Sequence, residues 1–110
     1  MRDKPLAKLT EHQIRMRALE RAADKESAAF ARWVGISPQH WNHALNGETI
    51  SLPVARAIKR RLPDITLDWL ILGDYRGVSS ALADRLRLAV SEIETTFGSI
   101  ARASPKSKTG

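Results

Sequence analysis

The chain has 110 residues, a length that suits one domain of ordinary size and leaves little room for a second. Hydrophobic residues make up 43% and charged residues 27%, which predicts a folded core and excludes wholesale disorder. No cysteine is present, so disulfides, thiolate metal sites and thiol catalysis are excluded, and eighteen Lys+Arg against twelve Asp+Glu give a net +6 that favours a polyanionic partner.

Residues 1–10 mix charges with two leucines and lack the apolar segment of a signal peptide. The longest strongly apolar run, residues 69–72, is far too short to cross a bilayer. A cytoplasmic protein with no membrane partner is the expectation.

Six helices are predicted in chain order. Residues 11–23 carry Ile14, Ala18, Leu19 and Ala22 on one face, with Thr10 as the cap. The pattern slips at residues 24–26, and a second helix runs to Val34 with Phe30, Ala31 and Val34 apolar. Gly35 and Ile36 follow. Ser37 then caps a third helix, with Pro38 at its first position, where the missing N–H costs nothing. Asn46 and Gly47 end it. The fourth helix follows Ser51 and stops before Pro63, with Val54, Ala57, Ile58 and Leu62 inward and Arg56, Lys59 and Arg60 outward. A short fifth helix is expected within residues 64–73, capped by Thr66. After Gly73 and Gly77, residues 80–97 form a longer sixth helix with Leu82, Leu86, Ala89, Val90, Ile93 and Phe97 in one stripe. Residues 99–110 are a basic tail without apolar content and are expected to be disordered. Nothing alternates with the period of a strand, so the fold class is all-α. The basic excess lies in residues 1–62 and in the tail, whereas residues 63–98 are net acidic.

Residues 27–47 are the most informative stretch. Two short helices can cross steeply only where their junction is tight and small side chains sit at the contact. Ala31 supplies the small residue, Gly35 opens the turn and Ile36 plugs the corner, so that Trp41 and Leu45 face back toward Phe30 and Val34. This is the requirement of a helix-turn-helix.

These residues, with Asn46 and Gly47 closing the third helix and the segments SLPVARAIKRRL and TLDWLILGD beyond it, resemble the lambda-repressor-like (Cro and Xre) class of helix-turn-helix DNA-binding domains over residues 11–76. The resemblance implies a five-helix DNA-binding domain at residues 11–76. The rest of the chain reads as an arm at residues 1–10, an additional C-terminal helix at 79–98 available for dimerisation, and the tail. The resemblance further implies that the third helix enters the major groove and presents Ser37, Pro38, Gln39, His40, Asn42 and His43 to base edges. Gln and Asn can each bond adenine N6 and N7, His can donate to guanine N7, and Pro38 can press on a thymine methyl. Lys25, Ser27, Arg32, Asn46 and Thr49 are the implied phosphate contacts. The chain departs from the family in three places. Ser27 stands where Gln is frequent, Trp33 stands where a charged residue is usual, and the first interhelical link lacks its glycine.

The stripe Leu82, Leu86, Ala89, Val90, Ile93 and Phe97 can pack on its own domain or join a second copy. A homodimer is the expectation, because repressors of this type read two half-sites related by a two-fold axis. Trp41 and Trp69 are expected in the core, Trp33 against a neighbouring helix or at an interface, and His12 at the surface. Arg56, Lys59, Arg60 and Arg61 read as a solvated face from which one or two residues can reach phosphate. His40 and His43 are three apart with neither a carboxylate nor a third histidine evidently beside them, so no metal site and no cofactor are expected. Neither a nucleophile elbow nor a phosphate loop occurs, and Glu92 and Glu94 lie on different helix faces, so no enzyme is expected. The function so read is a dimeric, sequence-specific repressor of prophage type on double-stranded DNA. The alternative is an antitoxin-type interaction module that binds a toxin protein through residues 79–110, a segment unstructured or protease-sensitive until the partner binds. A third reading is a non-specific architectural or RNA-binding protein.

Overall fold

The computed structural model describes residues 8–97, which form six helices and no strand. They are α1 (Glu11–Ala22), α2 (Ser27–Val34), α3 (Pro38–Leu45), α4 (Leu52–Arg61), α5 (Leu67–Leu72) and α6 (Ser80–Phe97). Residues 1–7 of the expected arm and the expected tail at 99–110 lie outside the described residues. No helix among the described residues is long and apolar enough to cross a membrane.

The first element begins with a reciprocal cap. Thr10 Oγ1 accepts from the Gln13 N–H, and the Gln13 side-chain oxygen accepts from the Thr10 N–H at 2.9 Å. The expected stripe Ile14, Ala18, Leu19 and Ala22 is buried, and so are Met16 and Glu20, which the periodic pattern left out. α1 is the central helix of the fold. It touches α3, α5 and α6 and is therefore covered on more than one side.

The α1–α2 link solves the missing-glycine problem with Asp24, which takes a left-handed φ of 57°. Its N–H donates to the Arg21 carbonyl and the next N–H, of Lys25, to the Glu20 carbonyl, each at 3.0 Å. Aspartate is among the few side chains that tolerate this conformation. The second link is tighter. Gly35, at φ +91°, donates to the Ala31 and Arg32 carbonyls, and Ile36 N–H also donates to Ala31. A Cβ on Gly35 would meet nothing within 4 Å, so glycine is required there by backbone conformation and not by space.

Ser37 Oγ then accepts from the His40 N–H at 3.0 Å and starts α3, with Pro38 in its first turn. Ser51 caps α4 through the Val54 N–H. Val54, Ala57 and Ile58 are buried as expected and Ala55 joins them, while Leu62 is only half-buried. The fifth helix occupies a shorter span than expected, with Thr66 Oγ1 accepting from the Trp69 N–H at 3.0 Å. Ser79 Oγ caps α6 through the Leu82 N–H.

The α6 stripe packs back on its own chain. Leu82, Leu86, Ala89 and Ile93 are buried against the core, and Val90 and Phe97 are half-buried beside it. Most of that contact is with α1. Arg21 Nη1 also meets Glu92 Oε1 at 3.1 Å, and Arg85 Nη2 donates to the Ala22 carbonyl. Of the two destinations expected for this stripe, packing on its own domain is the one seen within the chain: an isolated helix had to bury it somewhere, and α1 supplies the surface. Residues 80–97 of the segment that the antitoxin reading assigns to a partner are helical.

Candidate nucleic-acid interface

α3 is held to the body by its inner face. Trp41 is 1% exposed, and its ring lies 4.7 Å from that of Phe30 on α2. Its indole N–H donates to Glu20 Oε2 on α1 at 2.6 Å in a buried contact. Glu20 is the only buried charged residue among those described. A buried carboxylate needs a donor, and the indole provides one. At the far end of α3, Gln13 Nε2 donates to the Leu45 carbonyl at 3.3 Å. The following loop is tied to α1 as well: His12 Nε2 donates to the Glu48 carbonyl at 2.8 Å.

With its inner face fixed in this way, α3 turns Gln39, His40, Asn42 and His43 outward, all exposed, as are Ser37 and Pro38 at its start. Ser37, Gln39, His40 and His43 join Glu48, Thr49 and Ser51 along a groove of about 530 Å³. Four of the six expected base-reading residues, Ser37, Gln39, His40 and His43, therefore share this groove with Thr49 of the expected phosphate set, while Pro38 and Asn42 are exposed but do not line it. Asn46 is exposed at the C-terminal cap of α3, and Arg32 is exposed on α2.

The remaining residues of the phosphate set lie elsewhere. Ser27 is half-buried. Lys25 lines a separate cleft between α1 and the end of α6, with its ammonium 5.1 Å from the centre of the Trp33 ring. Trp33 packs on Phe30 at 6.0 Å and also carries the Arg61 guanidinium at 5.9 Å, while Arg61 Nε donates to the Trp33 carbonyl at 2.6 Å. The tryptophan thus gathers two cations against the body of the protein. Lys59 donates to the Pro63 and Ile65 carbonyls at 3.0 and 2.8 Å, closing α4. Arg56 and Arg60 remain exposed.

Two expectations about histidine are corrected. His12 is half-buried, and burial pushes its imidazole below the ordinary value despite the carbonyl it bonds. His43 does have a carboxylate beside it: its Nδ1 lies 3.1 Å from Glu48 Oε2. No group of three or more metal-ligating side chains is found among the described residues. Glu48 and Glu20 were both missed in the sequence. Glu48 sits in a loop without periodicity, and Glu20 meets Trp41 across 21 positions of chain, so neither contact has a local signal.

No family model, curated protein or solved structure matches the chain.

Proposed function

We propose that the protein is a sequence-specific regulator that binds double-stranded DNA with α3 in the major groove, a repressor of the lambda-repressor-like type. One observation carries this reading. Two eight-residue helices meet through a left-handed Gly35, the second is anchored by Trp41, and its other face presents Gln39, His40, Asn42 and His43 to solvent. Amide and imidazole side chains are suited to base edges, and the basic excess suits a phosphate backbone. A dimer on an inverted repeat belongs to the same reading. Its contact would lie away from the α6 stripe, which α1 already covers.

Selection of bound duplexes from a random DNA library at near-physiological salt tests the proposal. The expected result is an enriched inverted repeat with half-site centres about 34–36 Å apart, one helical turn. Salt-sensitive binding without any enriched sequence would overturn it and leave an architectural protein.

A further inference from the structure

We propose that His43 and Glu48 form a specificity-determining pair that accepts a hydrogen bond from the exocyclic amino group of adenine or cytosine. The inference rests on the DNA-binding reading above and deepens it by naming the chemical group read at one position. It also reverses the donor role that a histidine on this helix would ordinarily be given toward guanine N7.

The argument is one of hydrogen accounting. An ionised carboxylate can only accept, so the His43 nitrogen that lies 3.1 Å from Glu48 Oε2, Nδ1, carries a proton. In a neutral imidazole the other nitrogen, Nε2, then holds a lone pair and accepts. The carboxylate adds further acceptor capacity at the same end of α3. The pair is also held in place. His12 Nε2 donates to the Glu48 carbonyl at 2.8 Å, so the loop that carries the carboxylate is tied to α1. Both side chains remain more than half exposed and line the same groove as Gln39 and His40. An acceptor surface complements adenine N6 or cytosine N4 in the major groove. It opposes guanine, whose N7 and O6 both accept, and thymine, whose O4 accepts.

The test has two arms. In the free protein at about pH 8, where an imidazole is ordinarily neutral, ring-nitrogen NMR shifts of His43 should report the Nδ1–H tautomer. Glu48→Gln should move them toward the Nε2–H form. In the second arm, wild type and His43→Ala are compared on the selected duplex to find the base pair whose preference depends on His43. At that pair the amino group is deleted (purine for adenine, a pyrimidinone for cytosine), or the purine is replaced by its 7-deaza analogue. Deleting the amino group should weaken wild type about tenfold and leave His43→Ala nearly unaffected. Glu48→Gln should shrink that tenfold effect, a change that loss of folding alone would not produce. Thermal unfolding of each variant checks that it folds. The 7-deaza substitution should leave wild type unchanged. Weakening by the 7-deaza analogue, an Nε2–H tautomer in wild type, or no position that depends on His43 would overturn this inference while leaving DNA reading by α3 intact. Failure of wild type to select any sequence would overturn both.

Discussion

The contact between Glu20 and Trp41 shows how one buried polar pair sets the attitude of an exposed helix. Trp41 sits between His40 and Asn42 in sequence, so anchoring its side chain in the core fixes which way both neighbours face. Glu20→Leu leaves the indole N–H without an acceptor in the core and should cost about 1–3 kcal/mol, read as a lower denaturant midpoint. Glu20→Gln keeps an acceptor and should cost less; equal losses for the two variants would show that the hydrogen bond contributes nothing. A second prediction concerns Asp74, whose carboxylate accepts from the Arg76 backbone and side chain, with the shortest contact at 2.6 Å. These donors hold its pKa at about 2, below the ordinary 3.8. The folded-state value is the depressed one, so the contribution to stability is complete above pH 3.8 and is lost as pH falls toward about 2. NMR titration of Arg76→Ala should return the Asp74 midpoint to the ordinary value. An unchanged midpoint would assign the depression to something other than Arg76.

At the scale of elements, helix starts were the most legible part of the fold. Thr10, Ser37, Ser51 and Thr66 each cap the helix expected after them, because a hydroxyl before an apolar-periodic run answers a local need for an acceptor. What stayed hidden depended on neighbours. Met16 is buried off the expected stripe because α1 is covered from several sides, and the destination of the α6 stripe required knowing where α1 lies. Asp24 took the place of a glycine without any composition signal. The outward residues of α3 were legible because the turn before it fixes which side faces in. Their companion Glu48 was not, since it comes from the following loop. Gly35→Ala should destabilise by about 1–2 kcal/mol, the cost of a left-handed L-residue, with no relief available from repacking because the space is already open. A change under a few tenths would mean that the turn can relax. Leu86→Ala should cost about 2–5 kcal/mol, and the loss should be independent of protein concentration, as burial within one chain requires. A loss that grows on dilution would place Leu86 at an interface between copies.

For the whole molecule, charge and anchoring divide the work. Under the proposed function, the net +6 charge supplies the attraction to the phosphate backbone, which salt would weaken for every sequence alike. On the same proposal, discrimination would come from the face of α3 whose opposite side is fixed by Phe30, Glu20 and Gln13. Trp33 draws Lys25 and Arg61 to itself, so the basic residues are not one continuous stripe, and under the proposed function DNA would be met at the groove beside α3. The most direct measurement is a map of backbone amide NMR shifts as a selected duplex is titrated into the protein. The expected map has its largest changes at residues 37–43 and 46–51, with α6 nearly silent. Changes centred on α5 and α6, with α3 unmoved, would contradict the account.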